Sequence, residues 1–172
     1  MSEGRAERVK QVSVIGTADC TQDSEVALLA EEVGRRLAEA GVAVVCGGLG
    51  GVMEAAARGA ATAGGTVIGI VPSTSTENAN PHCTHVVATG IGHARNLAVV
   101  ASGEAAIAVG GEWGTLSEIG YARTLGKTVV VLHSWSLSGQ GKMESAPGVT
   151  TAATAEDAVS LALAGRARAD AG

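Results

Sequence analysis

The sequence predicts an α/β fold: a Rossmann-like doubly wound parallel sheet with helices on both faces. Three observations carry this expectation. Short apolar runs alternate along the chain with longer stretches whose apolar residues recur at helical spacing, the pattern of βαβ units with right-handed crossovers. Two of the apolar runs end in glycine-rich turns that open directly into helices, at 44–53 and 106–118. Aromatic residues are 2% of the chain and Phe is absent, so Val, Ile, Leu and Ala must build the core, as in strands buried on both faces.

The elements follow in order. Residues 1–8 are polar and read as a disordered segment, and 9–166 read as a single nucleotide-binding domain. A strand is expected over Val9–Ile15, turning at Gly16-Thr17-Ala18-Asp19. Asp23 or Ser24 caps a helix to about Ala40 with Val26, Leu29, Val33 and Leu37 on one side. Gly41 ends it, and Val42–Cys46 forms a wholly apolar strand. The first glycine turn leads into an Ala-rich helix over 51–63, stopped by Gly64-Gly65. Thr66–Val71 is the third strand, and 72–83 reads as a flexible loop. A short strand over 84–88 and a helix over 92–101 precede the strand 104–109. The second glycine turn opens a helix over 114–125, followed by a strand at 127–132 and a loop at 133–148. Val149–Ala152 makes a last strand, and Thr154 caps a final helix to about Ala164.

Composition excludes several function classes. The net charge is −5, which argues against nucleic acid held on a basic surface. Cys20, Cys46 and Cys83 are far apart and form no CxxC pair, so neither a disulfide framework nor a zinc site is expected. No cluster of His, Asp and Glu has ligand spacing, and no metal or cofactor is expected. The N-terminus lacks an apolar signal region and no apolar run reaches membrane-spanning length. A cytoplasmic location is the expectation.

Both glycine turns lie at carboxyl ends of strands, where ligands bind in such sheets. A strand that ends in glycines and turns into a helix presents free N–H groups and the positive end of a helix dipole to an anion. The anion expected here is a phosphate. The P-loop pattern GxxxxGK[ST] is absent, and Met53 stands where a GxGxxG dinucleotide fingerprint needs its third glycine. An NAD(P)-dependent oxidoreductase is therefore disfavoured.

Gly92-His93-Ala94-Arg95-Asn96, followed by Gly111-Glu112-Trp113-Gly114-Thr115-Leu116-Ser117-Glu118, resembles the Lonely Guy family of cytokinin-activating phosphoribohydrolases. That family's pattern is an Arg on a helix, then P-G-G-x-G-T-x-x-E. Cys46 to Met53 resembles its Y-G-G-G-x-x-G-L-M turn, and Val67 to Pro72 its V-I-G-V-I-P strand. The resemblance runs in order from residue 10 to 132. Three departures stand out: Gly110 replaces Pro, Glu112 replaces the second Gly, and Asn96 replaces Lys.

The resemblance implies a nucleoside 5′-monophosphate phosphoribohydrolase, releasing free base and ribose 5-phosphate, with Arg95 and Glu118 as the catalytic pair. It also implies a homodimer or higher homo-oligomer with sites near the interface. The alternative is a non-catalytic carrier of a nucleotide or of the molybdenum cofactor on the same scaffold. The small-molecule partner expected is an AMP-like nucleotide. Expected binding positions are Gly16, Gly47, Gly48, Gly50, Met53, His93, Asn96, Gly110, Gly111, Glu112, Gly114 and Thr115.

The residues support the same chemistry by themselves. Breaking an N-glycosidic bond builds oxocarbenium character on the ribose, which a nearby carboxylate stabilises or relieves by activating water. Glu118 lies one helical turn beyond Gly114, and Arg95 can orient it or grip a phosphate with two N–H groups. The plainer readings make Glu118 a solvated first-turn residue, Arg95 a surface residue and the first glycine turn mere punctuation. His93 reads as a packed or capping histidine, and Cys46 as buried and inert. Trp113 suits a stacked base, the core or an interface. Tyr121 and Arg123 suit either the site or an interface, and an interface is the preferred reading.

Overall fold

The interior strands are runs of small and β-branched apolar residues, and such runs are stable only with both faces covered. The computed structural model describes residues 10–137 and 146–169. Residues 1–8, expected to be disordered, lie outside the described residues.

Seven strands form one parallel sheet: β1 (Gln11–Gly16), β2 (Ala43–Cys46), β3 (Val67–Val71), β4 (His85–Ala88), β5 (Ala105–Val109), β6 (Thr128–Leu132) and β7 (Val149–Ala152). Their order is β4-β3-β2-β1-β5-β6-β7. The helices are α1 (Glu25–Glu39), α2 (Val52–Thr62), α3 (Arg95–Ser102), α4 (Trp113–Thr124) and α5 (Ala155–Ala169). The Rossmann-like reading holds. Every residue of β2 and β5 is buried, whereas the edge strands β4 and β7 are partly exposed.

The sheet divides the core in two. One cluster joins β1, β2 and β5 to α1, α2 and α5, including Val14, Val33, Leu37 and Ile107. The other joins the opposite face to α3 and α4, including Ile15, Val100, Ile119 and Val131. Ser24 caps α1, its hydroxyl accepting from Ala27 N at 3.2 Å. The α1–α2 crossing is set by Gly34 and Gly59. A Cβ on either would stand about 2 Å from a carbonyl oxygen of the facing helix, Ala56 O at 2.0 Å or Glu31 O at 1.9 Å.

Two local expectations need correction. The helix expected over 92–101 is a 3₁₀ turn, Gly92–Ala94, followed by α3. Gly92, with φ +59°, is outside α-helical geometry, so the α-helix starts only at Arg95. The loop at 72–83, read as flexible, is docked by a buried asparagine. Asn80 N donates to Gly48 O at 2.8 Å, and its Nδ2 donates to Leu49 O at 3.0 Å.

The chain leaves β1 toward one edge through β2, β3 and β4, then returns to β5 on the other side of β1. The switch point is therefore the crevice between the carboxyl ends of β1 and β5, where Gly16 is paired with Val109. Ligands of open parallel sheets enter at such a crevice.

Candidate functional site

A cavity of about 270 Å³ opens at that switch point. Gly16, Thr17 and Ala18 line it from the end of β1, and Gly47, Leu49 and Met53 from the first glycine turn and α2. His93, Arg95 and Asn96 approach from the 3₁₀ turn and α3, and Glu112, Gly114, Thr115 and Glu118 from the second turn and α4. Gly48, Gly50, Gly110 and Gly111 do not line it; they shape the two turns behind it. Gly111, for example, has φ +125°, a conformation that side-chain-bearing residues rarely adopt.

Glu118 belongs to the buried stripe of α4. Thr115, Glu118, Ile119 and Ala122 follow helical spacing and turn inward. A carboxylate on such a stripe is unusual, because burial of an unpaired charge is unfavourable. Glu118 is only 7% exposed. Burial pushes its carboxyl up to about 7, against the downward pull of Arg95. The reading of Glu118 as a solvated residue is therefore set aside.

Arg95 is likewise no surface residue. It is 8% exposed and begins α3, the end of a helix where a cation is least favoured. Its Nε is buried without a hydrogen-bond partner among the described residues. Burial lowers its pKa, with the charge of Glu118 acting in the opposite direction. The guanidinium lies over Gly47: a Cβ there would stand 2.5 Å from Nη1. No ion pair within 4.0 Å joins Arg95 to Glu118 among the described residues. The two charges face one cavity and act on each other through space.

Glu112 is the N-cap residue of α4, but its side chain makes no capping bond. Its carboxylate instead accepts a hydrogen bond from Thr17 Oγ1 at 3.0 Å. The first N–H groups of α4 are thus left without a side-chain cap. Thr17 also accepts from Val52 N, the first residue of α2, at 2.9 Å. One threonine at the end of β1 therefore ties the two glycine turns together. The sequence reading missed Thr17; its signal was a hydroxyl directly after a strand-ending glycine. Ser13 was missed as well. Fully buried in an apolar strand, it donates to Val99 O at 2.7 Å and fixes α3, and with it Arg95, on the sheet.

The remaining expectations divide. His93 is exposed in the 3₁₀ turn and is neither packed nor a cap, because the glycine before it turns the backbone outward. Trp113 is 76% exposed, which removes it from the core, and its ring stands 5.1 Å from that of Trp135. Trp135 Nε1 in turn donates to Glu112 O at 3.2 Å. Arg123 is tied to its own chain, its Nε donating to Pro147 O at 2.9 Å and Nη1 to Lys127 O. No group of three or more His, Cys, Asp or Glu suited to a metal occurs among the described residues. Among them, too, no helix is long and apolar enough to cross a membrane.

Comparison with known proteins places this architecture. The SLOG cluster4 family model matches residues 9–159. An uncharacterized protein of Archaeoglobus fulgidus is 44% identical over 125 residues, covering 73% of this chain and 81% of that one. The solved structure of the molybdenum cofactor binding protein from the phototrophic bacterium Rippkaea orientalis is similar, with TM-score 0.80 and 31% identity. It covers 92% of this chain and 98% of its own. The molybdenum cofactor carrier protein of Chlamydomonas reinhardtii follows with TM-score 0.77 and 30% identity, covering 93% and 99%. The chain belongs to the SLOG cluster4 family, within the Lonely Guy-like superfamily that its motifs resemble.

Proposed function

We propose, from the motifs that resemble the Lonely Guy family and from the cavity they line, that the site binds a nucleoside 5′-monophosphate and hydrolyses its N-glycosidic bond to free base and ribose 5-phosphate. The observation that carries this reading is Glu118: a carboxyl raised to about 7 in the same cavity as a buried arginine. The uncapped N-terminus of α4 receives the phosphate through N–H groups and dipole. Arg95, with its unpartnered Nε, supplies the neutralising cation. Ionised Glu118 stabilises the oxocarbenium-like ribose or takes a proton from the attacking water. Trp113, beside the cavity-lining Glu112 and Gly114, offers a ring face on which the departing base stacks.

Ion-paired phosphate recognition predicts a thermal shift with AMP well above that with adenosine. Equal shifts would remove the cradle. Chromatography then decides the chemistry, because adenine must appear in step with ribose 5-phosphate. A second reading has its own support: the similar proteins of Rippkaea and Chlamydomonas are named for the molybdenum cofactor. On that reading the cavity carries a phosphorylated pterin and leaves it intact. Stabilisation by AMP without any base release favours the carrier.

The proposed assembly is a homodimer through α3 and α4. Leu97 on α3, Tyr121 on α4 and Leu125 at its C-cap are 44%, 47% and 46% exposed, apolar surface that a second copy would cover. Light scattering at micromolar concentration should give twice the chain mass; a monomer refutes the assembly.

A further inference from the structure

Outside the cavity, one pair of nucleophiles is brought together by the fold. Cys46 ends β2 and is fully buried. Its partner across the parallel ladder is Gly69 of β3, so both positions direct their side chains to the same face. Gly69 has no side chain, and Cys83 uses that space. The Cys83 sulfur stands 2.5 Å from where a Cβ on Gly69 would be. Any other residue at 69 would displace it. Cys83 therefore packs against the core cluster that holds Cys46, in the space that Gly69 leaves beside it.

The segment that carries Cys83 is held in place. Cys83 N donates to Asn80 O at 3.3 Å, and its thiol reaches Asn80 Oδ1 at 3.6 Å. Asn80 is itself bonded to Gly48 O and Leu49 O of the first glycine turn. These bonds hold Cys83 next to the end of β2, where Cys46 lies 37 residues earlier in the sequence.

We propose that Cys46 and Cys83 are a dithiol modification site, converted by a hydroperoxide to an intramolecular disulfide. Cys83 is half-buried and within reach of a small oxidant, whereas Cys46 is shielded. Cys83 is the attacking group because the oxidant reaches it and not the buried Cys46; the neighbouring Cys46 also holds its thiol below the ordinary value. The Cys83 thiolate attacks one peroxide oxygen, the O–O bond breaks, and hydroxide leaves as a sulfenic acid forms. Cys46 then attacks the sulfenic sulfur. The S–S bond forms, the S–O bond breaks, and water departs with the Cys46 proton. Two thiols are oxidised by two electrons and hydrogen peroxide is reduced to two waters. The bridge would pin residue 83 to the position before Gly47, on which the Arg95 guanidinium lies.

The test uses the reduced full-length chain, exposed to stoichiometric hydrogen peroxide, alkylated and mapped by mass spectrometry. The expected result is an intact mass lower by two hydrogens, restored by dithiothreitol. A peptide pair should link Cys46 to Cys83, while Cys20 stays alkylated. Cys83→Ser should abolish the link and leave Cys46 as a thiol. Cys46→Ser should leave Cys83 as a sulfenic acid that dimedone traps. Recovery of both thiols, a link through Cys20, or over-oxidation of Cys83 without a link overturns the proposal. The unsubstituted chain decides the matter even where Cys46→Ser fails to fold.

Discussion

The two glycine turns look alike in sequence and do opposite work in the structure. The first is packed shut at Gly47, Gly48 and Gly51, and only Gly50 has room beside it. A Cβ on Gly51 would stand 2.4 Å from Thr17 O, one on Gly48 would stand 2.7 Å from Val71 Cγ1, and Gly47 lies under Arg95. The second turn ends open, because a Cβ on Gly114 would meet nothing within 4 Å. Glycine is needed in the first turn so that protein can approach protein. At Gly114 it leaves the N-terminus of α4 bare. The same strand–glycine–helix signature thus covers a packed joint and an open helix end, the one proposed to receive the phosphate.

Four experiments bear on that contrast. The largest effect is expected at Glu118, on the helix of the open turn. Glu118→Gln should lower base release by about a hundredfold or more, the scale of one positioned acid–base or electrostatic group. AMP binding, read by thermal shift, should survive. Unchanged turnover would eliminate Glu118 as the catalytic carboxylate. The same group sets a pH dependence. Its pKa is raised in the folded chain to about 7 from an ordinary 4.5, so the folded state holds the extra proton between those values. The stability this contributes is complete below 4.5 and is lost as pH rises through 7. Glu118→Gln should therefore match the parent chain at pH 4 and exceed it at pH 8. Activity dependent on the ionised carboxylate should rise through the same interval.

Next in size is the closed turn. Gly51 has φ +64° and its Cβ direction points into Thr17 O. Gly51→Ala should destabilise the fold by about 1–3 kcal/mol, the range for a side chain forced into glycine-only backbone. A melting curve that does not move would mean that the turn is not closed.

A smaller change is expected from Glu112→Gly. Removing a carboxylate beside the bare N-terminus should tighten AMP several-fold at low salt, and the gain should shrink as screening increases. Loss of AMP binding would instead make Glu112, now held by Thr17, a ligand contact. It would favour the carrier reading.

The smallest effect on stability belongs to Gly114→Ala. With no neighbour to meet, the change should alter stability by less than about 0.5 kcal/mol, as surface changes do. The thermal shift from AMP should fall nonetheless, since the methyl stands in the cradle. If neither quantity changes, the open turn does not hold the phosphate.

Much of this fold is legible in the chain. Fully apolar runs such as Ala105–Val109 admit only interior strands, and glycines at 41, 64 and 126 mark helix ends through their positive φ. Arg95 and Glu118 are legible as a pair because they sit in motifs, although their burial is not. Burial depends on which helices share a face, and α3 and α4 meet only once β5 has crossed back beside β1. Thr17 and Asn80 are opaque for a related reason. Each acts through hydrogen bonds to groups distant in sequence, and a lone polar residue in a turn gives no sign of such partners. One of the two carbonyls that hold Arg123, Pro147 O, is likewise supplied only by the return of the chain at 146–148.

The sequence by itself determined the strand–helix alternation, the positions of the two glycine turns and the carboxylate beyond the second. Those are local properties, set by side-chain volume, backbone freedom and periodicity within a few residues. Only the tertiary structure decided which turn is closed and which open, that Glu118 and Arg95 are buried across one cavity, and that Cys83 meets Cys46 over Gly69. Proximity between residues far apart in the chain is fixed by sheet order, and desolvation, which moves the acidity of Glu118 toward neutrality, exists only once the surrounding elements have packed.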